Sequence, residues 1–316
     1  MAVFTPLTEA QVDTFLERYT TGRLELLEEV ASGTENSTFF VTTDQARLVL
    51  TLFEQGETDE LPFFIELLEY LDSNGVAVTN PLKDRDGNAL QQLAGRPALL
   101  LPRLEGEHPM APTLSQCHTI GAVMGKMHQC TRHYRGSRPN PRDLRWIDTQ
   151  YPKVMAYLKD EDKQLMQDTV DALESDIGYH PDLPSGALHG DLFRDNAMFN
   201  GDTFSGLIDF YNGCTGHFLF DLAILVNDWC SNADGSIDPE KYTAVLEGYL
   251  AERNLTALER TLWKPMLALT ALRYWLSRLL VVYVDPPAHE LTPKPPEQYR
   301  ALLLARIEAP VPDLPR

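Results

Sequence analysis

His189-Gly190-Asp191-Leu192-Phe193-Arg194-Asp195-Asn196, followed by Ile208-Asp209-Phe210, is the stretch on which the fold turns. It reads H-x-D-x-x-x-x-N and then an apolar run ending in I-D-F. Phosphoryl transfer to a hydroxyl needs a carboxylate to accept the hydroxyl proton. It also needs an amide oxygen and a second carboxylate to hold Mg²⁺ on the phosphates of ATP. Asp191 supplies the first, Asn196 and Asp209 the others. As an isolated loop, its Asp and Asn would do no more than cap turns. The context raises the reading. Ala187-Leu188 is strand-like, as are Ala197-Met198-Phe199 and Phe204–Ile208, which flank the turn Asn200-Gly201-Asp202. Such a hairpin carries Asn196 and Asp209 at the outer ends of its paired strands. His189 is expected to brace the loop by hydrogen bonding rather than to exchange protons.

Upstream of this loop the chain reads as two halves. In residues 1–22, Thr8 and Gln11 form a capping box before Val12, Phe15, Leu16 and Tyr19 at helical spacing. Strands are expected at 24–30, 38–42 and 47–53. The loop between the first two, Ala31 to Ser37, holds Gly33, Glu35 and Asn36. Strand, small polar loop and strand make a hairpin whose backbone N–H groups can approach a phosphate, although one glycine also suits a plain turn. A helix follows over 59–73, closed by Asn74-Gly75, with Glu66 placed to support a phosphate site or simply to face water. Strands are expected at 89–93 and 97–101, and 102–109 reads as a linker.

Beyond the linker, Thr113 and Gln116 cap a helix over 113–131, where Gly121 and Gly125 suggest close helix packing and His128 reads as structural. Residues 132–145 read as a basic loop, and helices are expected near 151–159 and 164–177. Asp221 to Trp229, 239–251 and 256–284 follow as helices. A Pro-rich end, read as mobile, contains a short helical run near 299–307.

The composition narrows the function. The chain has 316 residues, and 46 Asp and Glu against 27 Lys and Arg give a formal charge of −19. That disfavours binding to nucleic acid or an anionic membrane. It does not disfavour ATP, which arrives with its metal. No apolar run is read as approaching the ~20 residues that cross a bilayer, and the N-terminus has no signal-peptide pattern. A cytoplasmic protein is therefore expected. Cys117, Cys130, Cys214 and Cys230 lack metal-ligand spacing and read as thiols.

L-H-G-D-L-F-R-D-N, I-D-F-Y-N-G-C and D-L-A-I-L-V-N-D-W-C, with Arg273-Tyr274-Trp275-Leu276-Ser277-Arg278-Leu279, resemble the bacterial homoserine kinases of the aminoglycoside phosphotransferase/choline kinase superfamily. So do G-T-E-N-S-T-F-F-V, L-V-L-T-L-F-E and E-L-P-F-F-I-E-L-L nearer the N-terminus. The resemblance covers roughly residues 1–285. It implies an α+β, two-lobed, protein-kinase-like fold with a small β-rich N-lobe and a larger, mostly helical C-lobe. The divisions expected are 1–102 for the nucleotide-binding lobe, 103–285 for the catalytic and substrate lobe, and 286–316 for a Pro-rich extension.

The activity implied is ATP-dependent phosphorylation of L-homoserine on its side-chain hydroxyl, a step toward threonine, with ATP and Mg²⁺ as cofactors. Asp191 is the expected catalytic base, and Asn196 and Asp209 the metal ligands. Gly33, Glu35, Asn36, Thr51, Glu66 and Arg103 are assigned to the nucleotide. Homoserine carries a carboxylate and an ammonium group, so its site needs a cation, best an Arg fork, and acidic or carbonyl oxygens. Arg194, Tyr211, Asn212, Asp228, Trp229, Arg273 and Arg278 are the candidates, with only one of the last two arginines expected to face the site.

The pattern departs from the wider kinases at one place. The strand that usually offers a phosphate-binding lysine reads Leu50-Thr51-Leu52-Phe53, and no lysine precedes Lys83. A choline, ethanolamine or aminoglycoside kinase, or a non-catalytic pseudokinase, stays open on the residues alone, as does the oligomeric state.

Overall fold

The computed structural model describes residues 4–30, 36–54, 58–178, 180–286 and 294–314. Two compact units emerge. One comprises the residues up to Glu105 with Ser205–Ile208, and the other most of the chain from Gly106 onward.

The first unit is built on a five-stranded antiparallel sheet in the order β1-β2-β3-β5-β4. Its strands are β1 (Leu24–Glu29), β2 (Asn36–Thr43), β3 (Arg47–Phe53), β4 (Gln91–Leu93) and β5 (Arg96–Pro102). Period-two alternation sorts the side chains by face. Phe39, Val41, Leu48, Leu50, Leu52, Ala98 and Leu100 pack on α1 (Glu9–Leu16) through Val12, Phe15 and Leu16. The capping box of Thr8 and Gln11 opens that helix as expected. The opposite face carries Thr38 and Phe40, paired in register with Thr51 and Val49. The expected strand over 89–93 shortens to Gln91–Leu93. Its two-residue turn to β5 holds Ala94 at φ 52 and Gly95 at φ 77, the left-handed pair of a tight hairpin. The helix α2 (Leu61–Ser73) completes the unit.

The second unit is mostly helical. Its capped helix α3 (Leu114–Thr131) lies against α7 (Pro239–Glu252) at a distance only glycine permits. A Cβ on Gly121 would stand 2.0 Å from the Val245 carbonyl oxygen, and one on Gly248 would stand 1.9 Å from that of His118. The strand β6 (Ser185–Leu188) pairs with β9 (Cys214–His217), a strand the sequence pattern did not reveal. β7 (Ala197–Asn200) and β8 (Thr203–Leu207) form the expected hairpin. Helices α6 (Phe218–Trp229) and α9 (Trp263–Tyr283) form the core, with α5 (Asp160–Ile177) alongside.

Three expectations are corrected here, and one is borne out. The stretch read as loop up to 145 already contains the start of α4 (Leu144–Val154), because the Asp143 carboxylate accepts the Trp146 N–H at 3.1 Å and caps it. The helix expected over 256–284 divides at Leu262 into α8 (Ala257–Thr261) and α9, where Pro265 suits only the first turn of a new helix. The short helical run expected near 299–307 is present in the Pro-rich end. There α10 (Glu297–Glu308) buries Tyr299, Leu302, Leu303 and Arg306. Finally, one described helix, α9, does have the length and apolarity to cross a bilayer. It is the buried core helix of this unit, with Arg273 inside it.

Candidate active site

Local sequence sets the loop. Gly190 adopts φ +77, and a Cβ there would meet the Asn212 carbonyl oxygen at 2.4 Å, so only glycine fits. The main-chain N–H groups of His189 and Gly190 each donate at 2.9 Å to one oxygen of Asp221, at the start of α6. His189 thus braces the loop through its backbone. Its ring packs 4.4 Å from Phe210. The Asn196 amide donates to the Asp191 carbonyl at 2.8 Å and closes the loop from the other side. Asp209 follows β8 in the left-handed region at φ 61 and ψ 59, which is uncommon for a residue with a Cβ and concentrates at functional sites. It is exposed.

Around the Asp191 side chain the two oxygens differ. Oδ1 accepts from the Tyr274 hydroxyl and lies 3.7 Å from Nη1 of Arg273. Among the described residues, Oδ2 meets only Nδ2 of Asn212, at 3.5 Å, the outer limit of a hydrogen bond. Burial pushes the Tyr274 phenol well above its ordinary pKa, so it stays a donor. Arg273 is 5 % exposed and stacks on Tyr274, and its Nε has no hydrogen-bond partner among the described residues. The rings of Phe193 and Tyr299 flank Tyr274 at 4.7 and 5.1 Å. Tyr274 and Tyr299 were not among the sequence candidates. Their signal, an aromatic next to Arg273 and another in a Pro-rich tail, is indistinguishable from core packing.

Other candidates fall elsewhere. Arg194 and Asp228 pair with each other: Nε donates at 3.0 Å and Nη2 at 3.3 Å, while Nη1 donates to the Met110 carbonyl at 2.9 Å. Burial raises the Asp228 carboxyl and Arg194 opposes it. This pair anchors the loop to α6 rather than presenting two open charges. Trp229 is 1 % exposed and donates its indole N–H to the Leu192 carbonyl at 3.3 Å, so it supports the loop from the core instead of facing a ligand. Arg278 donates to Pro295 and Gln298 at 2.8 and 2.9 Å, tying down the C-terminal segment. Of the two arginines on α9, Arg273 is therefore the one beside Asp191. Tyr211 is half-buried in the turn Phe210–Asn212.

In the sheet unit, Gly33 and Glu35 lie outside the described residues. Asn36 opens β2, half-buried, and Glu66 is exposed on α2. Thr51 is buried on the face away from α1. The Arg103 guanidinium stacks 3.6 Å from the centre of the Phe40 ring, on that same face. Arg47, at the start of β3, is exposed. None of the four cysteines is in a disulfide.

The profile of the phosphotransferase enzyme family matches residues 26–257. A protein of Pseudomonas aeruginosa (strain UCBPP-PA14) named homoserine kinase is 45 % identical over 280 residues, 89 % of each chain. Another of that name, from Janthinobacterium sp. (strain Marseille), is 38 % identical over 99 % of this chain and 98 % of its own. Among solved structures, an amicoumacin kinase in complex with AMP-PNP and Ca²⁺ superposes with a TM-score of 0.71 at 18 % identity, covering 96 % of this chain and 93 % of that one. That likeness shows the two-lobed kinase fold, antiparallel sheet in one part and helices in the other. By its matched profile and these full-length relatives, the chain belongs to the phosphotransferase enzyme family and groups with its homoserine kinases.

Proposed function

We propose that this protein is an ATP-dependent homoserine kinase, converting L-homoserine and ATP to O-phospho-L-homoserine and ADP. The observation that carries the reading is the likeness to homoserine kinases over nearly the whole chain, at 38–45 % identity. The geometry around Asp191 agrees with it. Oδ1 is held by Tyr274, so Oδ2 is the oxygen that accepts the proton of the substrate hydroxyl. As that proton moves, the hydroxyl oxygen bonds to the γ-phosphorus, the bond to the β-phosphate oxygen breaks, and ADP leaves. Positioning and charge stabilisation dominate such a step.

Mg²⁺ fits the residues present. The Asn196 amide nitrogen is committed to the Asp191 carbonyl, which leaves its Oδ1 to face a cation. Asp209 supplies the anionic ligand. No cluster of three His, Cys, Asp or Glu side chains among the described residues forms a metal site by itself. When bound, Mg²⁺ would neutralise charge on the β- and γ-phosphates.

Arg273 is assigned to the substrate carboxylate. It is a buried guanidinium beside Asp191 with an unpartnered Nε. Arg103 is assigned to the nucleotide, as the cation on the sheet face that bears Thr51 in place of a lysine. An ADP-release assay over homoserine, choline, ethanolamine and kanamycin tests the reading. Release with homoserine at a kcat/KM far above the others is expected. Preference for a substrate without a carboxylate would overturn it, and ATP binding with no turnover on any of them would point to a pseudokinase.

A further inference from the structure

A chain of buried polar groups runs from the far end of α7 to the Asp191 loop, and its direction is fixed by chemistry. Glu259 sits inside the capping box of α8, where its Oε2 accepts the Thr256 N–H at 2.7 Å. Its Oε1 accepts from Nη2 of Arg253 at 2.7 Å. Nη1 of Arg253 donates to the Tyr249 hydroxyl oxygen, also at 2.7 Å. That hydroxyl lies 2.9 Å from Nδ1 of His128, and Nε2 of His128 lies 3.2 Å from Oδ2 of Asp221. Asp221 then receives the N–H groups of His189 and Gly190. His128, Asp221 and Glu259 are all fully buried.

An arginine can only donate. Tyr249 therefore accepts from Arg253, which leaves its own proton to be donated toward His128. The Asp221 carboxylate only accepts, so the ring proton sits on Nε2 and points at it, and Nδ1 is left to accept the Tyr249 proton. Burial pushes the imidazole below its ordinary pKa, so the ring carries a single proton and its tautomer matters. Phe218 stacks on the same ring at 4.6 Å and holds its plane. With the other tautomer, a lone pair would face the Asp221 carboxylate in a site without water access, and the clamp on the loop would loosen.

We propose that Arg253 and Tyr249 are positioning residues: they fix His128 as the Nε2–H tautomer, and so hold Asp221 on the backbone of the loop that carries Asp191. The kinetic part rests on the kinase reading above. The tautomer part does not, so the two fail separately.

The test uses the full-length protein labelled with ¹⁵N at histidine. Two-bond ¹⁵N–¹H spectra report the tautomer, and His128→Gln identifies the His128 signal by difference. The wild type is expected to show Nε2–H for His128. Tyr249→Phe is expected to convert it to a mixture, with kcat on homoserine reduced about 2- to 30-fold, the range for a mutation along a coupling network. KM for both substrates is expected to stay within about twofold, because nothing that binds them is removed. His128→Gln keeps a donor toward Asp221 and should retain more activity than His128→Leu. An Nδ1–H signal in the wild type overturns the proposal without any variant. So does Tyr249→Phe that loses stability yet keeps both the tautomer and kcat.

Discussion

The Tyr274 hydroxyl donates to Oδ1 of Asp191, while Oδ2 meets Nδ2 of Asn212 at 3.5 Å. A carboxylate so held is oriented before substrate arrives, which is where catalysis by positioning gains its rate. Tyr274→Phe removes the donor and keeps the ring among Phe193 and Tyr299. Steady-state kinetics should show kcat lower by about tenfold, the worth of one hydrogen bond to a charged group, with KM for ATP unchanged. An unaltered kcat would show that this orientation is unimportant.

Arg273 should govern recognition of the carboxylate. Arg273→Met is expected to raise KM for homoserine by roughly 30- to 1,000-fold, the range of about 2–4 kcal/mol for a lost charge pair, without a matching change for ATP. An amino alcohol that lacks the carboxylate should lose far less. Equal losses for both substrates would place Arg273 outside the substrate site.

Acid should destabilise the fold through His128. Its pKa is depressed in the folded protein by burial, against an ordinary value of 6.5. Below that value the unfolded chain takes up a proton that the folded protein does not, so stability falls as pH drops from 7 toward the folded pKa. Asp221, whose carboxyl burial alone would raise, is held low by the hydrogen bond from His128 and pulls the same way at lower pH. Burial also depresses His217, so part of the effect should persist without His128. Thermal melts between pH 7 and 5 should show a shallower fall for His128→Gln than for the wild type. Identical slopes would mean that His128 is not buried in its neutral form.

Arg306 fastens the C-terminal helix. It donates to Asn227 at 2.7 Å, to the Gly235 carbonyl at 2.8 Å and to Ser231 at 2.6 Å, almost without exposure. Arg306→Met should lower stability by about 3 kcal/mol or more, because three acceptors lose a charged donor. Chemical denaturation measures it, and a change under about 1 kcal/mol would contradict the assignment.

These contacts mark what the sequence could and could not reveal. The loop and hairpin that carry Asp191, Asn196 and Asp209 were legible because their signals are local in the sequence. The capping boxes of α1 and α3, and the close approach at Gly121, were legible for the same local reason. The partners were not. Tyr274 reaches Asp191 across 83 positions and Tyr249 reaches His128 across 121. Arg194, Asp228 and Trp229 were read as substrate residues, and whether they face a ligand or each other depends on how α6 packs. Tyr299 and Arg306 sit in a helical run that the sequence did show, but its packing partners, Tyr274 and Asn227, lie far away along the chain.

The turnover of Asp191→Asn on MgATP and L-homoserine tests the central claim most directly. It should be measured on protein shown to be folded, with the product identified by ³¹P NMR. Wild-type enzyme should form a phosphate monoester of the homoserine side chain. The variant should bind ATP but turn over about 10²- to 10⁴-fold more slowly. A variant that forms the same product at the wild-type rate would contradict the assignment of Asp191 as the group that accepts the hydroxyl proton.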